Sequence, residues 1–405
     1  MKMKVAVFHN LPSGGAKRAL HGYVKYLRGN GHTVDAYIPS TANEDFLPLK
    51  DVASSVKIYP VTRTMRGMIY SAAYYVLPIW QSLRDLELVE KRIAEDINGR
   101  DYDVVLSEQD RSTMAPFLLK YVRKPTVFYC QQPFRFDEKV IADLQRKTGL
   151  EKDMSLVERY MRRTNARKLP LIEKHNASFA GYILANSNFS RENILRAYGK
   201  EAHVSYLGVD AAVFKPLWLK REDIVVSVGN CIPEKGFDFI IKSLGHVEKG
   251  LRPRLIIVSN RAEGTWKDYL TKLANEHAVD MDIQKLVGDQ ELLSLYNRAK
   301  LVVYAPYLEP FGLVPIEAMA CGTPVVAVAE GGAKESVMDK ETGILTGRSE
   351  GDFAVAVSDL LKDDKRRETM GKRAVEAVRD SWTLEQAGKR VMDHLSRAIV
   401  ASDSR

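Results

Sequence analysis

Short runs of apolar, largely β-branched residues recur along the chain, and each is followed by a loop and then by a helical pattern. Three of these runs are Lys4 to His9, Ile224 to Gly229 and Leu301 to Ala305. Such runs are typical of strands that are buried on both faces of a parallel sheet. The repeated order of strand, loop and helix therefore predicts an α/β protein built on parallel sheets.

The clearest of these units runs from Tyr304 to Ser336. After its first strand, Pro306 to Gly312 contains two prolines and a glycine, so the chain is predicted to loop out at the carboxyl end of the strand. Pro315 suits the first turn of a helix, where a missing N–H costs nothing, and Gly322 suits the end of that helix. Val325 to Val328 is the next predicted strand.

This unit carries two acids, Glu309 in the loop and Glu317 in the helix, with seven residues between them. Ligands of open parallel sheets bind at the carboxyl ends of the strands, where a helix N-terminus attracts anions. Gly312, Gly331 and Gly332 would let backbone amides approach a ligand closely. Together these features predict a ligand that is both anionic and rich in hydroxyl groups, although two glutamates at this spacing, taken alone, are more typical of a solvated helix face and a loop acid.

Two further loops have the same character. Lys235 lies at the mouth of the loop that follows the strand Ile224 to Gly229, where a lysine could meet a diphosphate as a point charge or be an ordinary surface residue. Gly14 and Gly15 follow the first strand and precede an amphipathic helix, which is the anion-binding opening of many nucleotide-binding domains but also an ordinary loop. The second loop is not a P-loop, because the chain has no Gly-x4-Gly-Lys-Ser/Thr.

Composition and charge limit the class of protein. The 405 residues are too many for one ordinary core, and 45% hydrophobic with 28% charged residues is typical of a soluble globular protein. Three widely spaced cysteines argue for a reducing compartment without disulfides. The apolar run Val5 to Phe8 is too short for a signal peptide, and no run of eighteen apolar residues exists, so a cytoplasmic location is expected.

The net charge of +8 favours an anionic partner, which could be a phosphate-bearing substrate, an anionic lipid surface or nucleic acid. Base-reading motifs are absent, so no nucleic acid is expected. Asp101-Tyr-Asp103 is a D-x-D, a spacing of carboxylates that can bind a metal, but it precedes the predicted strand Val104 to Leu106. It is therefore predicted to be a turn at the amino end of the sheet, and no metal site is expected there.

The Pro-Phe-Gly-Leu that follows Glu309 and the Glu-Ala-Met-Ala-Cys-Gly-Thr-Pro-Val-Val that begins at Glu317 closely resemble the Glu-x7-Glu signature of the group 1 glycosyltransferases (glycosyltransferase family 4). The resemblance implies the GT-B fold, with two Rossmann-like, doubly wound parallel-sheet domains facing a central cleft. It also implies that Glu309, Phe311, Gly312 and Leu313 hold the donor sugar and phosphate, and that Glu317 holds the ribose. Gly14 and Gly15 would lie beside the donor phosphates.

The loop from Gly229 to Gly236 resembles the family's Gly-Arg-x4-Lys-Gly, with Lys235 as the lysine and Asn230 in place of the arginine. Because charge-assisted bonds are about twice as strong as neutral ones, the leaving phosphate would lose roughly 1.5–3 kcal/mol of stabilisation. Asn230 would still contact the donor as a neutral hydrogen-bonding residue. Either another cation compensates, the candidates being Lys17, Arg18 and Arg261, or turnover is weak.

The segment from Tyr129 to Arg135 resembles the Tyr-Cys-His-x-Pro-x-Arg of a subset of the family, often mannosyltransferases, which places Gln131 and Arg135 on the acceptor side. Gln131 stands where those relatives have histidine. Since glutamine cannot take a proton near neutral pH, a general base at this position is not expected, and the donor phosphate is expected to serve instead.

The resemblance extends loosely over nearly the whole chain and sets the predicted domain bounds. These are residues 1–205 for an acceptor-side domain, 206–381 for a donor-binding domain, and 382–405 for a helix that packs back on the first domain. Tyr206 to Pro216 resembles the family's hinge, and the composition agrees, because Val209 to Lys220 has no clean period.

Two basic segments each have two interpretations. Thr62 to Arg84 combines arginines with aromatic and aliphatic residues, which suits either an interfacial membrane segment or a core helix that Pro78 interrupts. Arg146 to Lys174 is predicted to be a basic helix that forms either a solvated face or part of a lipid-facing surface.

The sequence and the resemblance together predict a metal-independent glycosyltransferase of the hexosyltransferase class, and the resemblance alone implies that it retains the anomeric configuration. It would use a nucleoside-diphosphate sugar as co-substrate and no cofactor, with Glu309 and Lys235 as catalytic residues. The acceptor would be a glycan or a lipid-linked glycan in cell-envelope polysaccharide assembly, at the inner face of the membrane if the basic segments bind lipid. The alternatives are a relative that binds sugar nucleotides with little turnover, or a phosphorylase or epimerase on the same fold.

Overall fold

The computed structural model describes residues 2–62, 78–133, 156–259, 264–285 and 288–403. The described residues form two compact units. The N-terminal unit contains the described residues before 137, residues 156–206 and the closing segment from Leu384, and the C-terminal unit contains Leu207–Thr383.

Each unit is built on one parallel sheet. The sheet of the N-terminal unit has the order β3-β2-β1-β4-β5-β6-β7, and the sheet of the C-terminal unit has the order β10-β9-β8-β11-β12-β13. The strands are β1 Lys4–Asn10, β2 Thr33–Pro39, β3 Ser55–Tyr59, β4 Val104–Asp110, β5 Thr126–Cys130, β6 Tyr182–Ala185, β7 His203–Val204, β8 Glu222–Val228, β9 Arg254–Ser259, β10 Met281–Lys285, β11 Ala299–Tyr304, β12 Val325–Val328 and β13 Gly343–Thr346.

Helices connect most consecutive strands, as expected for parallel pairing. They are α1 Gly15–Gly29, α2 Pro78–Asn98, α3 Leu156–Ser178, α4 Asn188–Tyr198, α5 Phe237–Gly245, α6 Thr265–Glu276, α7 Asp289–Arg298, α8 Leu313–Ala320, α9 Ala333–Ser336, α10 Glu350–Lys362, α11 Asp364–Ala377 and α12 Leu384–Asp403. Among the helices of the described ranges, none has the length and apolarity that a bilayer crossing requires.

Local sequence explains where several helices begin and end. The Ser187 side chain accepts a hydrogen bond from the Ser190 N–H at the start of α4, and Gly199 ends that helix in the left-handed conformation. Asp363 caps α11 in the same way. Gly322 follows the end of α8 with φ +69°, which is the role that the sequence predicts for it.

The same strand order occurs in both sheets and defines where a ligand can bind. In each sheet the chain winds outward in one direction, returns to the middle, and continues in the other direction, so the order reverses between β1 and β4 and between β8 and β11. Ligands of doubly wound sheets bind at this switch point, at the carboxyl ends of the strands. The predicted class of two doubly wound parallel-sheet units is confirmed.

In the N-terminal unit, strand β4 is longer than predicted, and the last helix, α12, belongs to this unit. Strand β4 does not end at Leu106 but continues to Asp110, because Asn10 of β1 pairs with Asp110. The D-x-D, Asp101 to Asp103, precedes β4 as predicted, and Asp103 accepts a hydrogen bond from the Lys4 N–H at 2.7 Å. Helix α12 packs against α1, and the Tyr182 hydroxyl lies 2.9 Å from Nδ1 of His394.

The two basic segments are only partly described. Residues 63–77 of the first segment lie outside the described ranges, and the described part of the segment begins with Pro78 in α2. All of the second segment that is described, residues 156–174, belongs to α3, as the predicted basic helix requires, and Leu171 is 67% exposed. Both interpretations of each segment stay open.

Candidate functional site

The loops that follow β8 and β11 meet at the switch point of the C-terminal sheet. Lys235 belongs to the first loop and Glu309 to the second, and Nζ of Lys235 lies 2.6 Å from Oε2 of Glu309. The two side chains are 20% and 18% exposed, so the ion pair is partly shielded from water. The structure therefore brings together the two residues that are predicted to be catalytic.

Lys235 is positioned by a compact turn after β8. Residues Pro233–Lys235 form one turn of 3-10 helix, and Gly236 follows in the left-handed conformation with φ +66°. A Cβ on Gly236 would collide with the carbonyl oxygen of Ala305, so only glycine lets the two loops approach this closely. The Tyr307 N–H also donates to the Glu234 carbonyl at 2.8 Å and ties the loops together.

Glu309 is held by the loop that follows β12. The Gly332 N–H donates to the Glu309 carbonyl at 2.8 Å, and Gly331 has φ +62° with its Cα packed against the backbone of Glu309. Leu308 has φ +50°, a conformation that non-glycine residues adopt rarely and at an energetic cost. The loop before Glu309 is thus strained and fixed by its neighbours.

Helix α8 begins immediately after this loop, as predicted. Gly312 precedes it with φ +90°, no side chain caps it, and Leu313 is its first residue. The N–H groups of a first helical turn have no partners within the helix and suit an anion. Phe311 is 1% exposed and its ring centroid lies 5.7 Å from that of Trp382, so it offers a ligand its backbone rather than its ring.

Glu317 lies deeper than Glu309. It is 6% exposed, and the Tyr296 hydroxyl donates to its Oε2 at 2.9 Å. Burial, and then the charges of Glu309 and Glu317, raise the pKa of the Tyr304 hydroxyl well above its usual value. The two signature glutamates therefore flank one buried tyrosine.

Asn230 is exposed in the same loop as Lys235, and its carbonyl accepts a hydrogen bond from the Ile232 N–H at 2.8 Å. Gly14 and Gly15 belong to the N-terminal unit, where Gly14 has φ +142° and Gly15 begins α1. Their predicted role beside the donor phosphates, like that of Asn230, stays a prediction.

Lys17 is not available as the compensating cation. Its side chain is fully buried, its Nζ pairs with Glu44, and it lies 3.2 Å from Nε2 of His9. The prediction that it replaces the missing arginine is therefore wrong, because its charge is already matched by Glu44. The Arg18 guanidinium lies 5.5 Å from the Phe46 ring centroid, and Arg261 lies outside the described residues.

Gln131 belongs to a buried polar network at the carboxyl ends of β4 and β5. Its Nε2 donates to the two carboxyl oxygens of Glu108 at 3.2 and 3.3 Å, and its Oε1 accepts from Nδ2 of Asn186 at 3.1 Å. Desolvation raises the pKa of Glu108 to about 8, against the hydrogen bond from Gln131, which lowers it. Arg135, its predicted acceptor-side neighbour, lies outside the described residues.

Two family matches cover most of the chain. Residues 13–213 match the family described as Glycosyltransferase Family 4, and residues 209–377 match the family described as Glycosyl transferases group 1. The chain belongs to the group 1 glycosyltransferases of family 4.

Relatives of known function agree with this membership. The D-inositol 3-phosphate glycosyltransferase of Kribbella flavida is 33% identical over 237 residues, which are 52% of this chain and 56% of the relative. The human alpha-1,3/1,6-mannosyltransferase ALG2 is 25% identical over 334 residues, which are 74% of each protein. The chain thus spans little more than half the length of the first relative.

Solved structures show that this group 1 glycosyltransferase has the GT-B fold. Sucrose-phosphate synthase from Thermosynechococcus elongatus matches with a TM-score of 0.73 and 19% identity, covering 99% of this chain and 100% of that one. HepE of Anabaena, in complex with UDP and glucose, matches with a TM-score of 0.71 and 19% identity, covering 97% and 99%. The predicted family and fold are both confirmed.

Several residues around the candidate sites are not predicted from the sequence. In the C-terminal unit this is Arg348, and in the N-terminal unit they are Glu108 and Asn186. Glu108 had a detectable signal, because Glu108, Gln109 and Asp110 are three polar residues at the end of an apolar strand. Arg348 carries no such signal, since its partners Ala305 and Pro306 are distant in the sequence.

Proposed function

We propose that this protein is a retaining glycosyltransferase that transfers a sugar from a nucleoside-diphosphate sugar to a glycan or a lipid-linked glycan, without a metal ion. The observation that carries the proposal is the Lys235–Glu309 pair at the switch point of the C-terminal sheet. A cation and a carboxylate in contact there suit a ligand with adjacent phosphate and sugar groups.

The chemistry is a substitution at the anomeric carbon. The bond from that carbon to the phosphate oxygen breaks, the diphosphate leaves with the electron pair, and a hydroxyl of the acceptor forms the new bond and gives up its proton. Lys235 and the N-terminus of α8 stabilise the negative charge that grows on the diphosphate. Glu309 accepts hydrogen bonds from sugar hydroxyls and fixes the orientation of the reacting carbon.

The acceptor proton goes to the departing phosphate in this proposal. Gln131 cannot serve as the base, because a primary amide does not accept a proton near neutral pH. Its Nε2 and Oε1 are, moreover, hydrogen bonded to Glu108 and Asn186. A phosphate oxygen that has just lost its bond to the sugar is the nearest base that the reaction itself supplies.

Glu317 is proposed to hold the ribose of the donor. Its Oε2 is fixed by the Tyr296 hydroxyl, which orients the carboxyl group. The complexes of HepE with UDP and with UDP-glucose support a nucleotide-sugar donor of this kind. The names of the relatives, which act on an inositol phosphate or transfer mannose, support a hydroxyl-rich acceptor.

The cellular role is proposed on a narrower basis. A net charge of +8 and a basic helix α3 with an exposed Leu171 support work at the cytoplasmic face of an anionic membrane. Cell-envelope polysaccharide assembly is the pathway that fits a glycosyltransferase there.

A second candidate is a relative that binds sugar nucleotides with little turnover. Asn230 favours it, because the leaving diphosphate loses the bidentate cation that the family usually supplies at this position. A phosphorylase or epimerase would differ from both in cleaving or isomerising its substrate without any acceptor.

The first experiment is calorimetric titration with UDP, GDP and ADP and with one sugar conjugate of each, followed by transfer assays with the conjugate that binds. Glu309→Ala should abolish transfer and leave nucleoside-diphosphate affinity within about threefold, since Glu309 contacts sugar rather than nucleotide. Glu341→Ala, at the amino end of β13, is the matched control and should change neither quantity. Full transfer activity in Glu309→Ala would refute the site, and binding without transfer in the wild type would favour the second candidate.

A further inference from the structure

We propose that Arg348 is a positioning residue for the transfer reaction, which, together with Glu330, holds the loop after β11 in the conformation that presents Glu309. The inference rests on the function proposed for Glu309. Arg348 lies two residues after β13, and Glu330 lies two residues after β12, so both stand at the carboxyl edge of the C-terminal sheet.

The contacts of Arg348 join three loops. Its Nε and Nη2 donate to the two carboxyl oxygens of Glu330 at 2.8 and 2.7 Å, which is the bidentate geometry of a strong Arg–carboxylate pair. Its Nη1 donates to the Ala305 carbonyl at 3.0 Å, and Nη2 donates to the Pro306 carbonyl at 2.8 Å. These two carbonyls belong to the first two residues after β11.

Arg348 also packs on the same loop through its guanidinium group. Its guanidinium carbon lies 3.7 Å from the ring centroid of Tyr307, a close cation–π contact. The side chain is only 16% exposed, so these contacts are shielded from water. Three consecutive residues, Ala305, Pro306 and Tyr307, are therefore fixed by one side chain.

The loop needs such a restraint. Leu308, the residue after Tyr307, has φ +50°, and a non-glycine residue keeps this conformation only where the surroundings impose it. Glu309 follows directly. If the restraint is removed, Leu308 can relax to a negative φ, and the Glu309 carboxylate would then move away from Lys235.

Arg348 is not a substitute for the arginine that Asn230 replaces. An arginine has five N–H groups, and the bonds to Glu330, Ala305 and Pro306 use four of them. Its charge is matched by Glu330 in a bidentate pair. The guanidinium is thus committed to the protein, and its effect on the reaction passes through Glu309.

The test compares Arg348→Met and Arg348→Lys with Arg298→Met. Arg298 makes an equivalent bidentate pair with Glu222, at 2.7 and 2.8 Å, at the amino end of the sheet. For each variant we would measure kcat, the KM for the donor, nucleoside-diphosphate affinity, and hydrogen exchange of the peptide covering residues 304–310.

Arg348→Met should lower kcat by about tenfold or more, with nucleoside-diphosphate affinity within about threefold and faster exchange in this peptide. Arg348→Lys should rescue little, because an ammonium cannot reproduce the planar fork. Arg298→Met should match the wild type. Glu330→Gln, which keeps Arg348 but removes its charge partner, should shift exchange and kcat in the same direction.

Unchanged exchange of residues 304–310 in both Arg348→Met and Glu330→Gln would overturn the inference, as would an equal loss of nucleotide affinity and kcat. If Arg348→Met does not fold, Glu330→Gln carries the test. If the wild type binds nucleotides without transferring sugar, the proposed function fails, and the exchange measurement still decides whether Arg348 holds the loop.

Discussion

Nζ of Lys235 and Oε2 of Glu309 are 2.6 Å apart although the residues are separated by 74 positions in the chain. The contact arises because β8 and β11 are neighbours at the centre of their sheet, so the loops at their carboxyl ends meet. Each residue orients the other before a ligand arrives. A donor with phosphate beside sugar would find both partners already in position.

Lys235→Ala should weaken nucleoside-diphosphate binding. A hydrogen bond to a charged group contributes about 1.5–3 kcal/mol, which corresponds to roughly a tenfold or greater loss of affinity. Lys235→Arg should retain most of the binding because it keeps the charge. Calorimetric titration measures both, with Lys300→Ala as the control, since Lys300 pairs with Asp223 at the amino end of the same sheet. Equal affinities in Lys235→Ala and the wild type would show that the diphosphate binds elsewhere.

Asn230→Arg should strengthen diphosphate binding and accelerate transfer. Asn230 is exposed beside Lys235 in the loop after β8, so an arginine there could add a bidentate contact to the leaving group. A gain of about tenfold in affinity is expected from one added charge-assisted bond. Asn230→Gln keeps the neutral amide and should change little, and Asn275→Arg, on the exposed face of α6, controls for the added net charge. A loss of transfer in Asn230→Arg would mean that this position excludes cations.

The local parts of the site can be predicted from the sequence. An apolar run is followed by a loop with prolines and a glycine, and then by a helical pattern. This order predicts Glu309 in the loop after a strand and Glu317 in the next helix, and the structure has both residues in these positions. These features depend on interactions between residues that are close in the chain. The family resemblance then supplies the sheet order, which a periodicity alone does not determine.

The parts that depend on distant neighbours could not be predicted. Arg348 is one of many arginines in the sequence, and only the meeting of three loops gives it its partners. Lys17 lies beside a glycine-bearing loop, as an anion-binding lysine would, but Glu44 from elsewhere in the unit pairs with it. In both cases the tertiary partner determines the role of the charged residue.

Gly331→Ala should destabilise the protein and impair transfer. Gly331 has φ +62°, and an added Cβ would collide with the backbone of Glu309. The backbone strain alone costs about 1–2 kcal/mol, and the collision adds to it by displacing the loop that carries Glu309. Urea unfolding and transfer assays measure the two effects. Gly250→Ala is the control, because a Cβ on Gly250 meets nothing within 4 Å and the φ of Gly250 is not in the left-handed region. The free energy of unfolding of this variant should differ from that of the wild type by less than about 1 kcal/mol. Equal stability of the two variants would contradict the packing described for Gly331.

Glu108 should make the protein less stable as the pH rises from acid to neutral. Its carboxyl group is fully buried, and desolvation raises its pKa from 4.5 to about 8. The folded protein therefore keeps a proton on Glu108 in a pH range where the unfolded chain has lost it. The stabilisation is complete below pH 4.5 and is lost as the pH rises towards 8, by up to about 1.4 kcal/mol per pH unit.

Glu108→Gln removes this titration and keeps a carbonyl that can accept the hydrogen bond from Gln131. The variant should therefore gain stability relative to the wild type as the pH rises from 4.5 to 8, because only the wild type has to bury a carboxylate. Urea unfolding at a series of pH values measures the difference in the free energy of unfolding, and subtracting the two proteins cancels the other titrating groups. Glu87→Gln is the control, and its effect should have the opposite sign. Burial raises the pKa of Glu87, but hydrogen bonds from Lys120 and Tyr121 outweigh burial and lower the pKa overall. This variant should therefore lose stability relative to the wild type as the pH rises out of the acid range. A difference between Glu108→Gln and the wild type that does not change with pH would mean that the Glu108 carboxyl is already ionised in its network with Gln131 and Asn186.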